Sequence, residues 1–412
     1  MNQFIQNTLL GPVGILPAIF VLISALLSIT VLYKSNRIIL QSVKYESFDA
    51  LKGYLSIIVF ICHSITWYYY LRTRNWFPPP SNAYHQIGQA SISMFFMMTS
   101  FLFCNKLLKG QTNWLKLYIG RIFRLFPVYF LSIFCLFLII GYLSNFSLNE
   151  NESILTITSQ FKKWILFTMK DWPNVNGIQK TWIIIAHITW TLRYEWLFYL
   201  ALPVISILFF NEKPNLLIIS ISLYILFVVL PYKDYSYINF IHFGGGILAS
   251  LLIRFGKFSH FTYSWPFSII IFLLILLLVT IEGQQLFHIA ITAAIFIIIA
   301  CGNTIFGVLL NKYARALGQV SYGIYLFHGI VFFIFFRFIL GYEKAATLSS
   351  AQHWVCIILL TPLIILIASL IHIYIEFPAM QLTPLIYQKI HEITSATKHK
   401  ARIYWHQVVS FK

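Results

Sequence analysis

Eleven apolar runs, each long enough to cross the ~30 Å hydrocarbon layer of a bilayer as a helix, constrain this chain more than anything else in it. They lie at about 13–33, 51–71, 88–105, 124–143, 192–210, 215–231, 238–253, 266–281, 286–310, 320–340 and 354–375. A further apolar stretch, 181–190, is too short to span and fits a re-entrant or interfacial piece leading into the next helix. Only 10% of the 412 residues are charged, whereas a soluble chain carries roughly 25%. With so few side chains to cover a water-facing surface, the expected fold is all-α. It is a polytopic membrane helix bundle of about eleven transmembrane helices.

Charge sets the expected orientation. Lys and Arg outnumber Asp and Glu by 29 to 12, a net charge of +17. No nucleic-acid module accompanies this excess, so no nucleic-acid partner is expected. The basic residues instead fit cytoplasmic loops facing anionic membrane lipids. Lys34, Arg37, Lys44, Lys106, Lys109, Lys116, Arg121, Lys213, Arg254, Lys257, Lys312 and Arg315 all fall in alternate links between the runs. Lys389, Lys398, Lys400, Arg402 and Lys412 follow in the tail, while the opposite short links hold only Arg72, Arg74, Lys233 and Lys344. The long segment 144–191, with Lys162, Lys163, Lys170 and Lys180, departs from this bias, but long external loops translocate largely regardless of charge. The expected topology is N-terminus outside, C-terminus cytoplasmic. Met1 to Gly14 carries no charged side chain ahead of the first run, which points to a retained helix rather than a cleaved signal peptide.

The five cysteines all lie within apolar runs without a Cys-x-x-Cys pair, so neither a disulfide framework nor a metal site is expected. Polar residues inside the runs are costly and therefore informative. Glu46, Asp49 and Lys52 open the second run and His63 interrupts it. Eleven residues of helix place Lys52 and His63 within ~20° of one face and ~16 Å apart along the axis. Asp49 is positioned to pair with Lys52. Arg121-Ile-Phe-Arg124 presents two guanidiniums on one side of a helix turn, suited to phosphates or to lipid headgroups. Arg193 and Glu195 enter a run from the outer side, where they can pair with each other or line a path for a polar acceptor. Tyr325 and His328 share a helix face; a lone membrane histidine also bonds simply across helices. His187, His242, His260, His288, His353 and His372 sit in weaker contexts and read as structural. Gly244-Gly245-Gly246 lies within a run and reads as close helix packing.

Taken in order, these elements resemble the acyltransferase-3 family of integral membrane enzymes. The resemblance rests on Phe48-Asp49-Ala-Leu-Lys52-Gly followed by His63, then Phe95-Phe96-Met-Met-Thr99-Ser100-Phe101-Leu102. Arg121 and Arg124 with Pro127 and Tyr129 come next, followed by Trp190-Thr191-Leu192, Glu195 and Phe198-Tyr199. Leu317-Gly318, Ser321-Tyr322, Tyr325, His328 and Glu376-Phe377-Pro378 complete the series. Two positions depart from the family pattern: Lys52 replaces the usual arginine, and Thr99-Ser100 the usual Ser-Gly. The resemblance implies an extra N-terminal helix and loop over 1–47, a ten-helix acyltransferase domain over 48–378 and a basic cytoplasmic tail over 379–412. It also implies O-acylation, with acetyl-CoA as donor and a carbohydrate, lipid-linked or free, as acceptor. The stand-alone form, without a soluble domain after the last helix, is similar to enzymes that O-acetylate lipopolysaccharide O-antigen at the bacterial inner membrane. In this reading His63 is the general base or acyl carrier, and Glu195 is a second catalytic residue. Lys52, Arg121 and Arg124 hold the donor, while Asp49, Ser100, Arg193, Tyr325 and His328 line or support the substrate path. The alternatives are peptidoglycan, glucan, antibiotic or lipid acceptors, and, from another class, a proton-coupled carrier or flippase.

Overall fold

The structure, a computed structural model, describes residues 11–38, 40, 45–110, 112–210, 214–229, 235–254, 256, 264–283 and 285–410, apart from the side chains of 209, 210, 229 and 394–410. Met1 to residue 10 and the side chains of Lys44, Lys213, Lys233, Lys257, His260, Lys398, Lys400, Arg402 and Lys412 therefore lie outside the described residues. The helices are α1 (Ile15–Lys34), α2 (Glu46–Thr73), α3 (Asn82–Leu107), α4 (Trp114–Leu143), α5 (Ile154–Ile165), α6 (Thr189–Phe210), α7 (Leu216–Val229) and α8 (Tyr237–Arg254). They continue with α9 (Trp265–Thr280), α10 (Gln285–Ala300), α11 (Lys312–Gln319), α12 (Ser321–Ile334), α13 (Tyr342–Thr347), α14 (Ser350–Ile371) and α15 (Phe377–Ser410). No strand occurs among the described residues. In lipid a helix satisfies its own backbone, so apolar runs of this length have no other stable choice. Among the described residues, eight helices are long and apolar enough to cross a membrane, and three shorter apolar helices accompany them. Each of the eleven runs forms its helix. α1, α7 and α9 turn large side chains such as Phe20, Leu27, Phe227 and Phe272 outward, as helices bathed in lipid do.

Two ends differ from the run boundaries. The run 286–310 stops being helical at Ala300, because Gly302 takes a φ of 114° and Asn303 Oδ1 accepts from the Ile305 amide at 2.8 Å. At the other extreme, α4 starts ten residues before the expected 124. Asn113 Oδ1 accepts from the Lys116 amide at 3.0 Å and caps a helix whose first turns are basic rather than apolar. Arg121 and Arg124 are thus helical residues, not a link. The short segment 181–190 is a 3-10 turn, Thr181–Ile185, buried against α12 before α6 begins at Thr189.

Close backbone approach fixes the centre of the bundle, as expected where lipid tails supply no hydrophobic drive between helices. A Cβ on Gly318 of α11 would overlap the carbonyl oxygen of Asp49 in α2, and one on Gly53 would meet Ala314. Arg315 adds an ion pair to Glu46 at 2.8 Å. A Cβ on Gly246 of α8 would overlap Met97 O and Ser100 Oγ in α3, and one on Gly245 would crowd Met97 and Ala293, whereas Gly244 faces open space; the packing role read for the triplet holds for its last two glycines. Ser100 Oγ also donates to Phe243 O at 2.7 Å. Its hydroxyl therefore ties α3 to α8 at the place where α8 supplies the glycines. Gly329 of α12 lies against Ile185 and Ala186 in the same backbone-to-backbone manner.

Candidate active site

Two cavities occupy opposite ends of α3. The first, of ≈ 440 Å³, is walled by the C-terminal half of α3, the N-terminal turns of α2 and α4, and parts of α6, α12 and α15. Five basic residues line it among the described residues: Lys52, Lys106, Lys116, Arg121 and Arg124. Glu195 is the one acidic residue in its wall among those described. Lys52 Nζ pairs with Asp49 at 2.5 Å, one turn back on the same helix. The Arg121 guanidinium stands 5.0 Å from the Phe103 ring centre and 5.9 Å from that of Tyr199. Tyr199, fully buried, donates its hydroxyl to Glu195 Oε1. The deeper wall is apolar, with Phe95, Phe96, Leu102 and Leu125. This is a cationic mouth on an apolar throat.

Tyr325 closes the inner end of that throat. Its hydroxyl is held by Thr191 Oγ1 at 2.7 Å and Ile188 O at 3.2 Å, and its ring lies 6.2 Å from that of His328. Behind it sits a pair of imidazoles. His328 Nδ1 donates to Ile324 O at 3.1 Å, since a carbonyl only accepts. In the neutral ring, His328 Nε2 is then an acceptor, and it lies 3.1 Å from His63 Nδ1. His63 Nδ1 must therefore carry the proton, which it shares with Val59 O at 3.1 Å. The bonding pattern leaves the lone pair of His63 Nε2 unengaged. His328 is fully buried and His63 only half-buried, so the ring with the spare lone pair is the more accessible one.

His63 lines neither cavity. Trp76, from the proline-bearing link after α2, stacks on it at 6.3 Å, and Trp182 meets Trp76 at 6.0 Å. His187 follows, 4.9 Å from Trp182 and 4.5 Å from Trp172, with its backbone in the left-handed region at φ 60°. His187 borders the second cavity, of ≈ 540 Å³, which lies among the N-terminal ends of α3, α6, α8 and α10. The imidazole pair thus stands between the cavities, with Tyr325 on one side and the Trp76–Trp182–His187 row on the other.

The ten site residues read from the sequence distribute unequally. Lys52, Arg121, Arg124, Glu195 and Tyr325 share the first cavity, and Asp49 supports Lys52. His63 and His328 form the pair behind it. Ser100 faces a helix contact. Arg193 borders the second cavity instead of joining Glu195. Two residues of helix turn a side chain by roughly 200°, so α6 sends them to opposite sides. Lys106 and Lys116 were read only as loop charges, and Trp76 and His187 not as site residues at all. No local signal distinguishes them, because only the fold turns them inward.

The acyltransferase-3 model, described as an acyltransferase domain, matches residues 45–373, more than half of the chain. The chain belongs to this acyltransferase-3 family. It is a multi-pass membrane acyltransferase. A relative encoded by Acidianus two-tailed virus, ORF330, is an acetyltransferase by name and inference. It is 24% identical over 255 residues, covering 58% of this chain and 72% of that protein. No solved structure matches the chain.

Proposed function

We propose that this acyltransferase moves an acetyl group from cytosolic acetyl-CoA to a hydroxyl of a surface polysaccharide, such as lipopolysaccharide O-antigen, at the outer side of the bacterial inner membrane. One observation carries the reading: a cavity ringed by five cations narrows to an apolar throat that ends at Tyr325, whose ring lies 6.2 Å from that of His328, the hydrogen-bond partner of His63. Acetyl-CoA has that shape and chemistry, a polyphosphate head on a thin neutral arm ending in a thioester. Arg121 and Arg124 would grip the phosphates with planar forks, helped by Lys52, Lys106 and Lys116 as point charges. The basic ends of α3 and α4 face the cytosol in this orientation, as the positive-inside bias favours.

His63 then acts as general base. Its Nε2 takes the proton of the acceptor hydroxyl, the oxygen attacks the thioester carbonyl, and the carbon–sulfur bond breaks. The proton returns from Nε2 to the departing thiolate, so the ring ends neutral. His328 holds the His63 tautomer in which Nε2 is the basic atom. Tyr325 is the side chain the arm must pass, and Glu195, through Tyr199, braces the wall beside Arg121.

The test is ester content. Replacing His63 with Ala should remove acetyl esters from the surface polysaccharide while membrane levels of the protein stay normal. Normal acetylation at normal protein level would overturn the mechanism.

A further inference from the structure

We propose that the second cavity binds an acidic carbohydrate, a sugar carrying a carboxylate or phosphate near the hydroxyl that is acylated. This names the acceptor class and rests on the acyl-transfer reading above. The wall of this cavity differs sharply from that of the first. Among the described residues, Ile238 and Ile289 are the only aliphatic side chains in its lining, and none is acidic. Amide, imidazole and indole groups make up most of the rest, which suits hydroxyls and sugar rings rather than an acyl chain.

Its positive character is built in. Arg193 is buried, and its guanidinium lies 3.5 Å from the centre of the Trp172 ring, so stacking fixes the plane of the charge. A planar guanidinium held this way matches a carboxylate or phosphate better than a hydroxyl alone. His242, only 7% exposed, borders the same space, and its Nδ1 has no hydrogen-bond partner among the described residues. His288 Nε2 donates to Gln86 O at 3.0 Å. Gln86 is anchored in turn by its amide, which donates to Ile281 O at 2.8 Å and to Asn82 Oδ1 at 3.1 Å. The polar wall is therefore braced before any ligand arrives. Half-buried faces of Trp172 and Trp190 offer platforms for the apolar side of a pyranose. No three His, Cys, Asp or Glu side chains gather as metal ligands among the described residues. His187, at the cavity edge, leads by a row of rings, Trp182 and then Trp76, to His63, so an aromatic wall connects this cavity to the proposed base.

The test compares trigalacturonate with neutral galactotriose, using the full chain in phosphatidylcholine nanodiscs and titration calorimetry without acetyl-CoA. The acidic sugar should bind about tenfold or more tightly. Arg193→Gln should erase that preference, and Arg193→Lys should restore part of it. Equal affinities on the unaltered chain would overturn the proposal, even if Arg193→Gln fails to fold. So would an unchanged preference in folded Arg193→Gln. A third arm adds phosphatidylglycerol to the nanodisc; loss of trigalacturonate binding there would assign the cavity to a lipid headgroup phosphate and overturn the sugar reading. The two readings fail separately. Binding of trigalacturonate by a chain that transfers no acetyl sinks the acyl-transfer reading alone. Equal transfer to galactotriose and trigalacturonate sinks this one alone.

Discussion

At the scale of residues, the account turns on one nitrogen. His63 Nε2 is basic only because His63 Nδ1 is committed to Val59 O and His328 Nε2. His63→Ala should cost at least the ~10²–10⁴-fold that a positioned base supplies. His328→Leu should lower kcat by about tenfold, the worth of one buried hydrogen bond, with the KM for acetyl-CoA unchanged. Recovery in His328→Gln, whose amide oxygen can still accept from Nδ1, would mark a positioning role; equal loss in both variants would argue for direct chemistry at His328. The sequence made His63 visible because a single imidazole inside an apolar run is costly to keep. It did not reveal that His63 and His328 touch, since 265 residues separate them. Arg193 and Glu195 show the opposite: two residues apart and polar in the same run, they read as one feature until helical geometry sent them to different cavities.

At the scale of elements, the basic turns of α4 and the end of α3 form the cationic mouth of the first cavity, which the proposed function gives to the donor. Charge removal by Arg121→Gln with Arg124→Gln should weaken acetyl-CoA binding by about 10–100-fold, taking each charged hydrogen bond at ~1.5–3 kcal/mol less partial compensation. Calorimetric affinity equal to that of the unaltered chain would remove these arginines from the site. Gly318→Ala probes the α2–α11 contact, where an added methyl meets the Asp49 backbone. It should cost about 1–3 kcal/mol of stability and disturb Lys52. Hydropathy identified the helices because length and apolarity alone decide whether a segment spans. Their ends escaped it, since Asn113 and Gly302 act through caps and backbone conformation rather than apolarity. Lys106 and Lys116 escaped for a further reason: a loop cation that touches lipid and one that turns into a cavity have the same sequence signature.

At the scale of the whole molecule, two cavities at opposite ends of α3 flank an imidazole pair that lines neither of them, an arrangement the proposed transfer uses. pH offers a probe of the wall between them. His187 lies outside the spanning helices, and burial, then the charge of Arg193, pushes it from 6.5 down to about 4. The unfolded chain binds the proton more readily, so the stability His187 contributes is full above pH 6.5 and is lost as pH falls toward 4. Thermal unfolding of the unaltered protein should drop more steeply over that interval than that of His187→Asn. Parallel curves would contradict this burial.

The most direct measurement of the central claim uses purified full-length protein, radiolabelled acetyl-CoA and an acceptor polysaccharide. The account predicts alkali-labile label on the polysaccharide with the unaltered chain and none above background with an equal amount of folded His63→Ala. Equal labelling by the two proteins would contradict it.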